Sequence, residues 1–468
     1  MQKNELIRVE ITDVNNLGCG VGHLRDAGEQ TGQTVFVKGA VTGEEIEARV
    51  IKVAKSYLVA RIERIIKPSA HRTEDLCGAS AGCGGCAYRH ITYAHELELK
   101  RGYVQAAFRK AGLPEVSVEE VRSTYELTGY RNKAQYPFAK TKDGRVTAGF
   151  FATNTHRVIE ATDCALQPKL FGEILAYFCE FANRYGVSVY DEESGRGLLR
   201  HLYLRMGKVS GEVMVCPVLN GERLPHEDVL VRELTERFPM ITCLAVNTNT
   251  KSTNVVLGET YRLLSGRAWI EDTLCGLNFR ITPQSFYQVN HDACELLYGL
   301  AAERAELTGK ELLLDLYCGI GSIGLSMARN AGEVLGMEIV ESAASAAEEN
   351  AKRNGIENAS FFCGDAGDPN GLLKRAEKER GDISDAVVVI DPPRKGTTRE
   401  LIEGLSERSI RRVVYVSCNP DTLARDCAIF AECGYEIGPV PPVDLFPRTG
   451  HVESVVRLDR RLDVDMRR

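Results

Sequence analysis

The residues of this 468-residue chain whose types and spacing could do chemistry are fifteen cysteines and a few carboxylates at the ends of apolar runs. In RRVVYVSCNPDTLARDC, Cys418 lies just past a buried strand, and Asn419-Pro420-Asp421 opens a helix. A thiol at a helix N-terminus is expected to have a lowered pKa, and hence more thiolate at neutral pH, which would make Cys418 a nucleophile. An isolated cysteine is more often packing, so the weight here comes from its place beside a ligand-binding strand edge. LLLDLYCGIGSIGLSMA reads as buried strand, glycine turn and helix, with Asp315 at the strand end. Gly319 and Gly321 let the backbone pass close to a ligand with no Cβ in the way. Glu338 ends the next strand, where a carboxylate can accept both hydroxyls of a ribose. AVVVIDPPRKG presents Asp391 from a loop stiffened by two prolines, and FFCGD offers Asp365 to a base amine. Together these suit the adenosine and methionine parts of S-adenosylmethionine better than a dinucleotide, and no P-loop for ATP phosphates is present.

Two further features complete the chemical inventory. GHVESVV supplies Glu453 on a strand that could return to the same edge, although by itself it reads as an ordinary polar strand residue. Cys77-x5-Cys83-x2-Cys86 falls in HRTEDLCGASAGCGGCAYRH, a Gly- and Ala-rich stretch that reads as an irregular loop around something bound. Thiolate spacing of this kind leaves zinc and an iron–sulfur cluster both open.

The elements that must position these residues fall into three groups, as the length suggests. Residues 5 to about 67 alternate as short strands with glycine turns, which fits a small OB-like β-barrel. ITYAHELELKRGYVQAAFRKAGL is a helix ended by Gly112 and Pro114. Strands then predominate to about Phe286, with FGEILAYFCEFANRYG a helix among them, giving an α+β central region. From Glu311 strands and helices alternate, the pattern of a doubly wound, mostly parallel Rossmann-like sheet whose ligands sit at the carboxyl ends of the strands. The fold class is therefore α/β, with boundaries expected at 1–67, 68–286 and 287–468.

Composition sets limits. Hydrophobic residues at 44% and charged residues at 26% are those of a globular protein. No window has the apolar length of a membrane span, and the first residues lack a signal peptide, so the expected location is the cytoplasm, where thiols stay reduced. The net charge of -7 argues mildly against nucleic-acid binding. Against that, Arg49, Lys52, Lys55, Arg61, Arg64, Lys67 and Arg72 face Glu63 alone between positions 49 and 72, a run that could hold a phosphate backbone.

Gln284-Ser285-Phe286-Tyr287-Gln288-Val289-Asn290, DLYCGIGS, IDPPRKG, VSCNP and TGHVES, in this order, resemble the RNA (uracil-5-)methyltransferase family, and the barrel and cysteine set together resemble its 23S ribosomal RNA branch. The resemblance spans roughly the whole chain. It implies that Gln288, Tyr317, Glu338 and Asp391 bind S-adenosylmethionine, with Asp365 near the adenine, that Cys418 is the nucleophile and that Glu453 is the base. It implies an RNA-binding TRAM domain for the N-terminal barrel, and a 4Fe-4S cluster on Cys77, Cys83, Cys86 and the remote Cys164. The radical spacing C-x3-C-x2-C is absent, so the cluster is expected to be structural. C5 of uracil is a poor nucleophile; a thiolate added at C6 would activate it toward a methyl sulfonium, and a base would then remove the C5 proton. The expected partner is 23S ribosomal RNA, with the protein a monomer. Transfer RNA is the alternative target, and a non-catalytic RNA-binding protein the alternative outside enzymology. Cytosine-C5 enzymes are disfavoured because their Pro-Cys nucleophile motif is missing, and amino-group enzymes because Arg394 stands where they carry an aromatic.

Overall fold

A computed structural model describes residues 1–24, 32–79 and 82–461; two residues of the cysteine loop, 80–81, lie outside the described residues. Strands β1 (Leu6–Val14), β2 (Cys19–His23), β3 (Thr34–Lys38), β4 (Glu45–Val53) and β5 (Tyr57–Lys67) close a barrel in the order β1-β2-β3-β5-β4. Period-two alternation turns Ile7, Val9, Ile11, Val35, Val37, Ile46, Ala48 and Val50 into its core. The basic run is less free than its spacing suggests. Arg49 and Arg61 share Glu63, Arg64 reaches Glu47, and Arg72 pairs with the buried Glu44. Glu63 on β5 thus answers two of the arginines, while Glu47 on β4 and Glu44 in the turn before it lie outside the window that made the run look unopposed.

After the barrel come the cysteine loop and α1 (Tyr93–Lys110). The central sheet is built from β6 (Lys133–Lys140), β7 (Val146–Phe151), β8 (Val158–Glu160), β9 (Leu199–Met206), β10 (Val213–Leu219), β11 (Ile241–Thr248) and β12 (Thr260–Gly266). Its order is β12-β11-β10-β9-β6-β7-β8, and the apolar faces of α2 (Lys169–Arg184) and α3 (Glu227–Arg237) cover it. The hairpin β13 (Ile270–Leu274) and β14 (Leu277–Ile281) leads into α4 (His291–Ala305).

The last sheet holds β15 (Leu312–Leu316), β16 (Glu333–Glu338), β17 (Ala359–Cys363), β18 (Val387–Ile390), β19 (Arg412–Ser417), β20 (Tyr435–Ile437), β21 (Pro442–Val443) and β22 (Glu453–Arg460). Between its strands run α5 (Ser322–Met327), α6 (Glu341–Arg353), α7 (Leu372–Arg380), α8 (Arg399–Glu407) and α9 (Pro420–Glu432). The order is β17-β16-β15-β18-β19-β22-β20, with β21 on β22; the first five strands are parallel and β22 is antiparallel to β19. Alternation splits neighbours between the faces. Leu313, Val389 and Val414 pack with α4, α5 and the hairpin, whereas Leu312, Leu314, Val388 and Val413 pack with α7, α8 and α9. That second face is also covered by α1, through Val104 and Phe108, so a helix early in the chain seals the C-terminal sheet. Among the described residues no helix is long and apolar enough to cross a membrane.

Candidate active site

A parallel sheet presents the carboxyl ends of its strands along one edge, and the chemistry-bearing residues stand there in strand order. Asp365 lies two residues past β17, Glu338 is the last residue of β16, and Tyr317 follows β15. Asp391 follows β18, Cys418 follows β19, and Glu453 begins the antiparallel β22. The edge passes through the point where the order reverses on either side of β15, the place where open α/β sheets bind ligands. On the last rung of the β19–β22 ladder Ser417 faces Ser454, so the next step brings Cys418 opposite Glu453.

At the β15 end, Tyr317 and Gly321 both adopt left-handed backbone conformations, at φ +66° and +79°. A side chain at Gly321 would press on Ala347 and Phe361 within 3.0 Å, so glycine is required there for space as well as for φ. Strain at a non-glycine such as Tyr317 persists when its surroundings hold it. Here the phenol meets Thr397 Oγ1 at 3.1 Å. Glu338 Oε2 accepts from Gly319 N at 3.1 Å and Oε1 from Val340 N at 2.9 Å, which fixes the carboxylate at the rim. The buried Asp315 accepts from Gly324 N at 2.8 Å through one oxygen and leaves the other without a partner. Burial raises Asp315 to about 7, and repulsion from Asp391 and Glu338 adds to the shift. Asp365 accepts from Gly367 N at 2.9 Å, close to the Tyr317 hydroxyl. Gln288 is half-buried, and its carbonyl accepts from Asn132 Nδ2 at 2.9 Å. The loop before it is pinned by buried Arg205, which donates to the carbonyls of Ser285 at 2.8 Å and Tyr287 at 2.6 Å.

Around Cys418 two carboxylates meet one cation. The thiol is pushed up to about 11, first by burial and then by the Glu453 and Asp391 carboxylates, with Arg394 opposing. The expected lowering by the helix N-terminus is therefore overturned in the free protein. Pro420 removes one amide donor at the start of α9, the Asn419 side chain accepts from Asp421 N at 3.2 Å, and Asp421 adds negative charge to the first turn. Burial lifts Glu453 to about 8, and the Asp391 charge contributes, while Arg394 opposes. Asp391 itself is lifted to about 7 by burial. The Arg394 loop is fastened to α9: its carbonyl accepts from Asn419 Nδ2 at 3.0 Å and Thr422 Oγ1 at 3.3 Å.

A cavity of about 180 Å³ at Cys418 is lined by Arg394, His451, Tyr103 and Asn16 among others. Arg394 was legible in the sequence only as a departure from an aromatic. His451 and Asn16 carried no signal beyond the proximity of His451 to Glu453. The loop bearing His451 is held by buried ion pairs, in which Lys100 on α1 donates to Asp444 at 2.6 Å and Glu96 at 2.9 Å. A second missed feature is Ile339, directly after Glu338, which is 66% exposed at the cofactor edge.

Cys77, Cys83, Cys86 and Cys164 line one cavity of about 350 Å³, bounded also by Arg89 and by Leu17 and Lys38 of the barrel. The thiols are near enough to influence one another: Cys86 feels Cys164 and Cys83, and Cys164 feels Cys83 and Cys77. Among the described residues no three His, Cys, Asp or Glu side chains converge on a single point as one metal ion would require.

Comparison with known proteins joins this geometry to a family. The family model described as tRNA (uracil-5-)methyltransferase matches residues 260–461, the stretch that carries the whole strand edge. The TRAM domain model matches residues 2–62, the closed barrel. An uncharacterised RNA methyltransferase of Clostridium acetobutylicum is 38% identical over 98% of both chains, and one of Halalkalibacterium halodurans is 39% identical over 98% of both. The chain belongs to the tRNA (uracil-5-)methyltransferase family. Within this family, the crystal structure of the Pyrococcus abyssi tRNA (uracil-54, C5)-methyltransferase in complex with S-adenosyl-L-homocysteine superposes with a TM-score of 0.75. It is 27% identical, and the match covers 97% of this chain and all of that one. The protein is thus an S-adenosylmethionine-dependent uracil-5 RNA methyltransferase with an N-terminal TRAM domain.

Proposed function

We propose that the protein methylates C5 of a uridine in 23S ribosomal RNA through a covalent bond between Cys418 and C6 of the base. The observation that carries this reading is the placement of Cys418 opposite Glu453 across β19 and β22, with Asp391 beside them. S-adenosylmethionine, when bound, supplies an electrophilic methyl group. Glu338 would take the ribose hydroxyls, Asp365 the adenine amine, and Gln288, Tyr317 and Asp391 the remainder of the cofactor. The Cys418 thiolate adds to C6, the electron pair moves to C5, and C5 would take the methyl group as the S–CH3 bond breaks and S-adenosylhomocysteine keeps its electron pair. Glu453 then removes the C5 proton, the pair returns to the ring, and the C6–S bond breaks to free the thiolate. A carboxylate lifted to about 8 is matched to this task, since a base works best with a pKa near the operating pH. The high thiol pKa of the free protein is consistent with a nucleophile that ionises only when cationic charge enters beside Asp391.

The barrel, with the exposed Lys52 and Lys55, is proposed to hold RNA, the central region to carry the cluster cysteines, and the C-terminal sheet to do the chemistry. A 4Fe-4S cluster bonds each thiolate to a different iron, and the four thiols that line one cavity are its proposed ligands. A second reading, transfer RNA as substrate, is favoured by the end-to-end likeness to the Pyrococcus abyssi transfer-RNA enzyme. Mass spectrometry of RNA fragments from a strain lacking the gene decides. Loss of 5-methyluridine from 23S ribosomal RNA alone is expected; loss from transfer RNA alone establishes the second reading, and loss from neither contradicts both.

A further inference from the structure

Lys133 is half-buried, and its ammonium makes no hydrogen bond or ion pair among the described residues. It sits on β6 directly opposite Arg205 of β9, and the charges it feels are Arg205 and Arg131, both cationic. Burying an ammonium among cations is unfavourable unless an anion arrives to answer it. Arg205 cannot serve that anion fully, because its guanidinium already donates to the carbonyls of Ser285 and Tyr287. Lys133 lines a recess of about 360 Å³ together with Gln284, Ser285 and Phe286, the segment leading to Gln288. The acid on its lip, Glu259, is already paired with Lys251 at 2.7 Å. Arg131 continues the positive charge toward the catalytic pocket, where it and Arg394 both act on His451.

We infer that this recess seats a phosphodiester of the RNA strand entering the catalytic pocket, with Lys133 as its counter-ion. A lysine suits the role as a compact point charge that needs no fork geometry. Burial and the two neighbouring arginines hold Lys133 down at about 8, a shift that an incoming phosphate would reverse. The inference rests on the reading that the protein methylates RNA, and it adds a binding residue outside the cofactor edge.

The test uses the full-length protein with 23S ribosomal RNA and bulk transfer RNA sequence transcribed in vitro, continuing with whichever the wild type methylates. For Lys133→Gln we expect the RNA KM to rise several-fold at physiological salt, with kcat within about twofold. The slope of log kcat/KM against log salt should become shallower by about one, because one fewer counterion is released. Lys133→Arg should restore most of the affinity, and Lys374→Gln, on the exposed face of α7, should match wild type. S-adenosylmethionine binding measured by calorimetry should be unchanged in Lys133→Gln. A slope equal to wild type overturns the phosphate seat and leaves the functional reading standing, and so does a loss confined to cofactor affinity, which would make the cofactor carboxylate the anion. Methylation of neither RNA by the wild type overturns both.

Discussion

At the scale of single residues, the catalytic edge is a set of coupled titrations in which each charge changes its neighbours. Cys418 at about 11, Glu453 at about 8 and Asp391 at about 7 are all shifted toward their neutral forms, chiefly by burial. The signs give a test. Above pH 8 Glu453 is charged and repels the developing thiolate, so Glu453→Gln should lower the thiol pKa and speed its alkylation. Near pH 6 Glu453 is already protonated and that repulsion is absent. Iodoacetamide labelling of cofactor-free protein, read at the Cys418 peptide by mass spectrometry, should be several-fold faster for Glu453→Gln at pH 9 and nearly equal to wild type at pH 6. Equal rates at both pH values would mean that Glu453 does not face the thiol. The same variant should be slow to release product while still forming the adduct, since the proton it takes leaves before the C6–S bond breaks.

At the scale of elements, the strand edge was largely legible in the sequence, because buried strands that end in an acid or a thiol announce themselves by their apolar runs. Glu338, Asp391 and Cys418 were placed that way, and the alternation of LIRVEITDV gave the barrel its inward face. What was not legible depended on partners far away in the chain. Lys100 and Asp444 are 344 positions apart, and nothing local to either marks the buried pair that ties α1 to the His451 loop. The neutralisation of the barrel arginines was hidden for a similar reason, since Glu44 and Glu47 lie just outside the run that was counted. The thiol shift of Cys418 likewise depends on burial that a helix-terminus argument leaves out. The cysteine loop and the segment bearing Cys164 meet only through the fold, and that meeting is testable. Purified without air, the protein should be brown and carry about four iron atoms per chain with matching acid-labile sulfide. Cys164→Ser, although 78 positions or more from the other three cysteines, should lose iron as they would. Stoichiometric zinc without iron or sulfide would reject the cluster.

At the scale of the whole molecule, three parts of the chain meet at one pocket. The barrel turn supplies Asn16, α1 supplies Tyr103, and the C-terminal sheet supplies Cys418 and the loop bearing His451. Gly450 lies so close to the barrel that a Cβ there would come within 1.7 Å of Asn16 O. The barrel proposed to hold RNA and the loop bearing His451 are therefore docked directly against each other, and on the proposed function a base delivered past the barrel would arrive at the thiol. The most direct measurement is covalent trapping on substrate RNA carrying 5-fluorouridine at the target, since fluorine cannot leave as a cation after methylation. Wild type should form an adduct that survives a denaturing gel, and so should Cys427→Ala, which alters a fully buried thiol further along α9. Cys418→Ala should form none and transfer no methyl group, while still binding S-adenosylmethionine and RNA. Substantial methylation by Cys418→Ala, or an adduct that persists without that thiol, would contradict the account.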